Sequence, residues 1–349
     1  MHADAGGRRN PGRATQCRAA QSHRSKAGMS SRLEILTFHR ILPEGESYFI
    51  PPMAMSVGIF SRLLRSLKRH YQILPLREAI RAFSGGGPRR PAVALTFDDG
   101  YADNFHLARA ILLKEGLPAT FFIPVTPVRD GSAYWWDRLF HVARQRTGEF
   151  HEFLGPWAQR LGLGPLQVVR EPADVQAVGC LCRKVVAALN GAGRAVRDIF
   201  LGQLEARFGA YDGPGLLMSM ADARTLVRDG FEVGSHSMSH APLTDLSLPE
   251  AVAELRDSKA CLESDLGCPV QGFSYPRGAY TSDIARQARD AGYAYAVTTR
   301  FGSNSLGASA HELARRNMSD YRGLRARFPI PMHMLEISGR LDPLLANRR

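Results

Sequence analysis

The chain has 349 residues, and 44% of them are hydrophobic, which is enough for one large domain or two small domains with a buried core. Its formal net charge is +12, and half of this charge falls in residues 1–32, which are rich in Gly, Ser, Ala and Arg and show no apolar periodicity. Such a segment is predicted to be disordered, and it lacks the apolar stretch of a secretory signal peptide.

The same features disfavour several classes of protein. No apolar run approaches the ~20 residues of a membrane span, so we expect a cytoplasmic protein whose positive charge is compatible with attraction to an anionic membrane or glycan surface. The other basic residues are scattered and form no nucleic-acid-binding motif, so nucleic acid is not an expected partner. Met29 lies close to the first predicted strand, which leaves Met1 and Met29 open as the start of the protein.

From residue 33 onward, predicted strands and helices alternate. Apolar runs predict four strands in the first part of the chain, at Leu33–His39, Tyr71–Leu74, Ala92–Phe97 and Ala119–Pro124. The spacing of apolar residues predicts the helices between them, at Ser56–His70, Leu76–Phe83 and Phe105–Glu115. The Gly-Gly-Gly-Pro stretch at residues 85–88 is expected to end the second of these helices.

A helical insertion is predicted next, at about residues 132–215, where helical patches occur without a strong strand pattern. Alternation then resumes, with predicted strands at Phe231–Ser235, Val270–Ser274 and Tyr293–Thr298. The helices of this part are predicted at Ser219–Asp229, Leu248–Leu266 and Ser282–Ala291. The remaining residues are less regular.

This alternation predicts a parallel α/β sheet or barrel with about seven strands, because parallel strands need long crossover connections that are usually helical. We expect one domain at residues 33–330 that contains the insertion, followed by a tail at residues 331–349.

Polar side chains with catalytic potential follow the predicted strands. One strand ends at His39, another is followed by the adjacent pair Asp98 and Asp99, and a third is followed by His236 and His240. In parallel α/β folds the carboxyl ends of the strands meet on one face, where binding sites lie. Two adjacent carboxylates repel each other, so a buried pair favours a nearby cation.

The spacing of His236 and His240 lets two imidazoles bind one metal ion. The pair of histidines or the pair of aspartates is by itself weak evidence for a metal site, because histidines four apart also arise by chance and Asp-Gly is common in turns. Together, two imidazoles and one carboxylate form a three-ligand site with an open position for water, as in catalytic zinc sites. The neighbouring aspartate could then accept a proton from that water.

Two motifs, TFDDG at Thr96–Gly100 and HSMSH at His236–His240, resemble those of the polysaccharide deacetylases, the NodB homology domain of carbohydrate esterase family four. The resemblance covers residues 33–317. It implies a distorted (β/α)7 barrel. It also implies metal-dependent hydrolytic removal of N-acetyl groups from an amino sugar in a polysaccharide or glycan precursor.

The resemblance also implies roles for individual residues. Asp98 corresponds to the catalytic base of the family. Asp99, His236 and His240 correspond to the ligands of a divalent metal, for which we expect zinc first, with cobalt or nickel as alternatives.

The third motif departs from the family pattern. Many members have Arg-x-Pro-[Tyr/Phe] where this chain has Ser274–Arg277 (SYPR). In the family a backbone N–H at the aromatic position helps to stabilise the oxyanion, and the N–H of Arg277 can still do so because it does not depend on the side chain. The arginine that orients the base is missing from this motif, and Arg315 and Arg316 are the candidates to supply a guanidinium instead.

The C-terminal Leu-His motif of the family, which carries the general acid, has no good copy here. His311 and His333 are candidates in poor context. Members that resemble the poly-N-acetylglucosamine deacetylases are circularly permuted and carry this histidine before TFDDG, where His39 stands in LTFHRI. We therefore expect His39 to be the acid. The alternative is that His39 is a packed histidine at a strand end.

Other functions remain open at this stage. Relatives of this fold hydrolyse cyclic imides or ureides. A small closed pocket would favour such a substrate, whereas an open groove would favour a glycan. A non-catalytic glycan-binding protein on the same fold is a second alternative. Trp135 and Trp136 either stack on a sugar ring or anchor the insertion to the barrel.

Overall fold

A computed structural model describes residues 32–46, 48–84, 90–164, 175–320 and 326–342. Residues 1–31 of the segment predicted to be disordered (1–32) and the Gly-Pro stretch at 85–88 lie outside the described residues, whereas Arg32 is the first residue of a strand. The strands, in chain order, are β1 Arg32–Phe38, β2 Arg40–Leu42, β3 Ala54–Ser56, β4 Gln72–Ile73, β5 Ala92–Phe97, β6 Thr120–Ile123, β7 Glu232–Ser235, β8 Gly272–Ser274, β9 Tyr295–Phe301, β10 Asn304–Ser305 and β11 Leu313–Asn317.

The helices include a short π-helical turn, Asn104–Ala108, directly before α3. In chain order the α-helices are α1 Val57–His70, α2 Leu76–Ser84, α3 Arg109–Glu115, α4 Val125–Asp130, α5 Trp135–Gln145, α6 Thr147–Arg160, α7 Val175–Gly191, α8 Arg194–Phe208, α9 Met220–Arg228, α10 Leu248–Leu266, α11 Ser282–Asp290 and α12 Pro329–Ile337.

Seven strands form a closed parallel barrel, which confirms the predicted (β/α)7 fold. Their order around the ring is β1, β5, β6, β7, β8, β9, β11 and back to β1, and every neighbouring pair is parallel. Parallel pairing places the carboxyl ends of all seven strands at one end of the barrel, where active sites of such folds lie.

The seventh strand of the ring is not the one that the sequence predicted. The sequence predicts Tyr71–Leu74 as one of the seven strands. This segment forms β4, which lies outside the ring and pairs with the first two residues of β5. The ring is closed instead by β11, in a region predicted to be less regular. Its sequence, LARRN, has no apolar run, because two of its buried residues are arginines. These arginines can be buried in a barrel strand because each is paired with a carboxylate.

The barrel strands are buried on both faces. All residues of β5 and β6 are buried, as expected for strands that lie between a filled barrel interior and an outer layer of helices. Helix α1 shows how that layer forms, because its apolar residues recur on one face and bury Phe60, Leu63, Leu64 and Leu67. Each such side chain contributes about 1.5–3 kcal/mol relative to an exposed one.

The insertion has an apolar core of its own. Helices α5, α6 and α8 contribute Leu139, Phe150, Trp157, Phe200 and Leu204 to one buried cluster, separate from the cluster between barrel and outer helices. Side chains from the segment between β2 and α1 complete this core, so that segment attaches the insertion to the barrel.

Helix α12 follows the barrel. It overlaps the segment predicted as a tail, residues 331–349, and buries His333 and Ile337. Within the described ranges, no helix is both long and apolar enough to cross a membrane.

Candidate active site

The carboxyl ends of the barrel strands open into a cavity of about 860 Å³. Six of the seven residues selected from the sequence line it: His39, Asp98, Asp99, His236, His240 and Arg277. The seventh, Arg315, is buried beside Asp98. The structure therefore brings together residues that are far apart in the chain; His39 and Arg277, for example, are 238 positions apart.

Asp99, His236 and His240 form a compact, buried group. The Nε2 atoms of His236 and His240 lie 3.3 and 3.1 Å from the same carboxylate oxygen of Asp99. The ligand atoms of the three side chains all lie within 4.8 Å of one another. Nδ1 of His236 donates a hydrogen bond of 2.6 Å to the Ser274 carbonyl, which leaves Nε2 as the atom with a free lone pair.

This donor set fits a divalent cation. Two imidazole nitrogens and one carboxylate oxygen are the ligands of many catalytic zinc sites, and they also suit cobalt and nickel. Burial by itself raises the pKa of Asp99, but the adjacent imidazoles of His236 and His240 lower that pKa to well below its usual range. The carboxylate is therefore ionised and available as a ligand.

The backbone around the group is strained. Among the described residues, the non-glycine positions with positive φ are Asp99, Ser237, His240 and Arg277, at 57° to 73°. Each such residue costs on the order of 1–3 kcal/mol, and such strain is typical of functional sites. All four line or adjoin the cavity, so the strain is confined to the place where side chains must converge.

The loop that carries the two histidines is held by Glu254 of α10. Its carboxylate accepts hydrogen bonds from the backbone N–H groups of Met238 and Ser239, at 2.8 and 3.0 Å, and from the Ser239 hydroxyl at 2.6 Å. The loop thereby keeps the conformation that places His240 opposite Asp99. Sequence reasoning missed Glu254, because nothing in its helical context separates it from a surface glutamate.

Asp98 is held by Arg315 in a bidentate ion pair. Nη1 and Nη2 of Arg315 lie 2.8 and 2.6 Å from the two carboxylate oxygens of Asp98, and both side chains are almost fully buried. The Ser274 hydroxyl donates to the same carboxylate at 3.1 Å. Burial raises the pKa of Asp98, but the Arg315 guanidinium and the nearby His236 imidazole together outweigh burial, so the pKa lies below its usual range.

The two candidate arginines in LARRN have different surroundings. Arg315 faces Asp98, as described above. Arg316 is paired with Glu34 at 2.7 Å and with Asp342 at 2.7 Å. The guanidinium that is missing from the third motif is therefore supplied by Arg315 from β11, while Ser274 at the motif position donates to the same carboxylate.

His39 lines the cavity at the end of β1. Its Nδ1 atom is buried and has no hydrogen-bond partner among the described residues. The strand end is fixed next to the aspartates, because the N–H of Asp98 donates to the Phe38 carbonyl at 3.0 Å. A buried nitrogen without a partner costs free energy, so its position beside the cavity favours contact with a ligand.

Arg277 lies at the edge of the same cavity with an exposed side chain. Its φ of 57° belongs to the left-handed region, and Gly278 after it has a φ of 68°. A Cβ atom at Gly278 would collide with Thr299, so this turn requires glycine. The turn thus brings the Arg277 backbone to the cavity wall.

The insertion contacts the group of Asp99, His236 and His240 directly. The hydroxyl of Tyr134 donates a 2.6 Å hydrogen bond to the backbone carbonyl of Asp99. The rings of Tyr134 and Trp136 stack at 4.4 Å, and both lie about 5 Å from the ring of His240. Trp135 and Trp136 both line the cavity and also pack against the core of the insertion.

Comparison with known proteins identifies the domain. The family model of polysaccharide deacetylases matches residues 85–137 and 200–296, which include both aspartates and both histidines of the site. The chain contains a polysaccharide deacetylase domain. The matched ranges leave out most of the insertion, and they leave out His39 and Arg315, which the fold adds to the deacetylase site.

Relatives of the deacetylase domain have low sequence identity. The putative polysaccharide deacetylase YxkH of Bacillus subtilis (strain 168) is 27% identical over 96 residues, which is 28% of this chain and about a third of that protein. The deacetylase PplD of Streptococcus pyogenes, solved with acetate, has a TM-score of 0.55 at 17% identity and covers 86% of this chain and 97% of its own.

IcaB from Ammonifex degensii has a TM-score of 0.52 at 18% identity, and the match covers 83% of this chain and 92% of that structure. At this level of identity, the likeness to both solved structures concerns the fold.

A buried polar network joins the deacetylase barrel to the insertion. The Asp137 carboxylate accepts hydrogen bonds from the hydroxyls of Tyr48 and Tyr101, at 2.5 and 3.0 Å. The indole N–H of Trp136 donates to the Tyr101 hydroxyl at 3.1 Å. Burial raises the pKa of Asp137 to about 6. Sequence reasoning missed Asp137, because a single acidic residue in the first turn of a helix is also the usual complement of the helix dipole.

Proposed function

We propose that this protein removes N-acetyl groups from an amino sugar by metal-dependent hydrolysis. The observation that carries the proposal is the arrangement of two groups in one cavity. Asp99, His236 and His240 converge as a ligand set, and next to them Asp98 is held ionised by Arg315. This is the set of groups that hydrolysis of an unactivated amide needs at neutral pH.

Asp99, His236 and His240 would hold the cation, with zinc as the first expectation and cobalt or nickel as alternatives. A bound divalent cation supplies Lewis acidity, which polarises an amide carbonyl and lowers the pKa of water.

Asp98 acts as the general base in this proposal. The bidentate pair with Arg315 fixes both carboxylate oxygens and keeps the group ionised, so it can accept a proton from the attacking water. The Ser274 hydroxyl limits rotation of the same carboxylate. Buried, paired and hydrogen-bonded, Asp98 needs little reorganisation when it takes up the proton.

His39 acts as the general acid. Cleavage of the C–N bond leaves an amine that needs a proton, and an imidazole can hold and release a proton near neutral pH. The Nδ1 atom of His39 has no partner among the described residues, which is consistent with a role toward substrate.

Arg277 contributes its backbone N–H to the developing oxyanion. The turn at Arg277 and Gly278 places this backbone at the cavity edge, and a preorganised N–H donor typically contributes several kcal/mol to the transition state.

The size of the cavity favours a glycan over a small cyclic amide. About 860 Å³ lies near the upper end for small-molecule sites and is far more than a five- or six-membered ring needs. A non-catalytic glycan-binding role is disfavoured by the complete set of base, ligands and Arg315. The cytoplasmic location stays a prediction.

The test is acetate release from N-acetylglucosamine oligomers by protein that is first treated with chelator and then reloaded with zinc. We expect release to depend on the metal and to fall by at least about 100-fold in Asp98→Asn, the size of a general-base contribution, while zinc still binds stoichiometrically. Full turnover by Asp98→Asn would refute the role of Asp98.

His39→Ala provides a second arm of the experiment. We expect a lower kcat with unchanged zinc content, and the loss should be smaller for substrates whose leaving amine needs less protonation. A normal kcat would move the acid to another residue. Release from small cyclic amides without release from any acetylated sugar would favour the alternative amidohydrolase.

A further inference from the structure

Five apolar side chains line the cavity on the side of the insertion, beside Asn190 and several charged residues. Ile50 and Met53 precede α1, and Trp135, Val186 and Leu201 come from α5, α7 and α8. All five side chains are partly buried against the core of the insertion, which fixes them in place along this side of the cavity.

The charged residues on this side are engaged with one another. Arg197 is paired with Asp245 at 3.4 Å, and Arg194 lies 3.6 Å from Asp198 and 3.9 Å from Glu250. These ion pairs connect α8 to the segment after β7, so the insertion and the barrel meet at this border of the cavity. Arg197, whose side chain is 10% exposed, is thus committed to a carboxylate within the protein, whereas Arg194 is half exposed.

Such a wall is a poor surface for further sugar rings. A pyranose in a deep site needs partners for its hydroxyl groups, and each hydroxyl that is buried without one costs roughly 1–3 kcal/mol. A hydrocarbon group has no such requirement and gains free energy from burial.

We propose that this apolar wall, formed by Ile50, Met53, Trp135, Val186 and Leu201, holds the aglycone of the substrate, and that the substrate is an N-acetylated amino sugar attached to a hydrocarbon group, as in a lipid-linked sugar. The proposal rests on the deacetylase function proposed above and narrows its substrate class. The sugar lies at the strand ends beside Asp98 and Asp99, and the hydrocarbon lies against the insertion.

The test compares three zinc-loaded reactions: the methyl glycoside of N-acetylglucosamine, its hexyl glycoside below the micellar concentration, and the N-acetylglucosamine trisaccharide. A fully buried methylene is worth about a factor of four in affinity, so we expect kcat/KM for the hexyl glycoside to exceed that for the methyl glycoside by at least about tenfold. We also expect the hexyl glycoside to be preferred over the trisaccharide.

Variants in α7 and α8 connect this preference to the wall. Leu201→Gln and Val186→Thr should each reduce the hexyl-to-methyl ratio of kcat/KM, by about threefold to tenfold for Leu201→Gln. Ile199→Gln is the matched control, because Ile199 lies on the same helix, is 47% exposed and does not line the cavity. Its ratio should remain that of the wild type. If Leu201→Gln does not fold, the milder Val186→Thr carries the comparison.

Failure of this proposal can be distinguished from failure of the deacetylase function. Turnover of all three compounds with equal methyl and hexyl constants, or with the trisaccharide preferred, overturns the aglycone site and leaves the deacetylase standing. If no compound is turned over, calorimetric binding of the two glycosides decides. Tighter binding of the hexyl glycoside that is lost in Leu201→Gln supports the site, and equal affinity overturns it.

Discussion

The barrel and the insertion contribute to the site in different ways. The barrel supplies the ionisable groups: His39, Asp98, Asp99 and His236 at or just beyond strand ends, and Arg315 within β11. The insertion supplies an apolar wall, the aromatic rings around His240 and a hydrogen bond to the Asp99 carbonyl. A rigid ring of parallel strands fixes charges to within hydrogen-bond distances, whereas a packed helical unit can vary its surface without moving them. Substitutions in the barrel should therefore act on turnover, and those in the insertion on metal affinity, stability and substrate choice.

The largest effect is expected at Arg315. Arg315→Met leaves the buried Asp98 carboxylate without its partner, which costs about 3–5 kcal/mol of stability. It should also lower kcat by at least about 100-fold, because the base loses its orientation and its ionised state. Arg315→Lys keeps the charge and should recover part of both losses. Steady-state kinetics and denaturant unfolding measure the two effects.

Arg316→Met is the matched control for this prediction. Arg316 lies on the same strand as Arg315, and the substitution breaks its buried ion pair with Glu34 of β1. Stability should therefore fall comparably, while kcat per folded molecule stays that of the wild type. An equal loss of kcat in both variants would show that β11 acts on turnover only through the stability of the barrel.

Asp137, in the insertion, should give a pH-dependent effect on stability. Burial raises its pKa to about 6 in the folded protein, from 3.8. Because the folded protein holds this proton more tightly than the unfolded chain does, the contribution of Asp137 to stability decreases by about 3 kcal/mol as the pH rises from about 4 to about 6. Asp137→Asn removes this dependence.

The measurement is the free energy of unfolding of wild type and Asp137→Asn at pH values from 4 to 7. The wild type should lose stability relative to the variant as the pH rises. Asp130→Asn, which changes an exposed carboxylate at the end of α4, should show a difference that is nearly constant. A constant difference for Asp137→Asn as well would contradict the raised pKa.

The smallest effect is expected at Tyr134. Tyr134→Phe removes the hydrogen bond to the Asp99 carbonyl and keeps the ring stack with Trp136. The loss of about 1 kcal/mol should weaken zinc binding by about fivefold, because the ligand loop is held less firmly. Competition with a chromophoric chelator measures this affinity. Tyr211→Phe also removes one hydroxyl of the insertion, and it should leave zinc affinity unchanged because that hydroxyl bonds to the Pro214 carbonyl.

The sequence predicted elements best where the apolar residues of a segment recur with a single periodicity and the whole segment has one kind of surroundings. The fully buried β5 and the one-sided helix α1 were both predicted close to their observed bounds. It failed at β11, where LARRN buries two arginines and so lacks the apolar run that marks a barrel strand. Tyr71–Leu74 has the apolar pattern of a strand, but the strand it forms, β4, lies outside the ring. An apolar pattern indicates that a strand is buried, but it does not indicate which strand lies beside it.

By itself, the sequence determined the (β/α)7 fold and predicted that Asp99, His236 and His240 form a ligand set. These follow from local information: apolar periodicity, and motifs whose residues are adjacent or four apart. Only the tertiary structure decided that Arg315 rather than Arg316 faces Asp98, that Glu254 and Tyr134 hold the two ligand loops, and that the insertion lines the cavity with hydrocarbon. Each of these depends on side chains that are far apart in the chain. Asp98 and Arg315, for example, are 217 positions apart and meet only when the ring of strands closes.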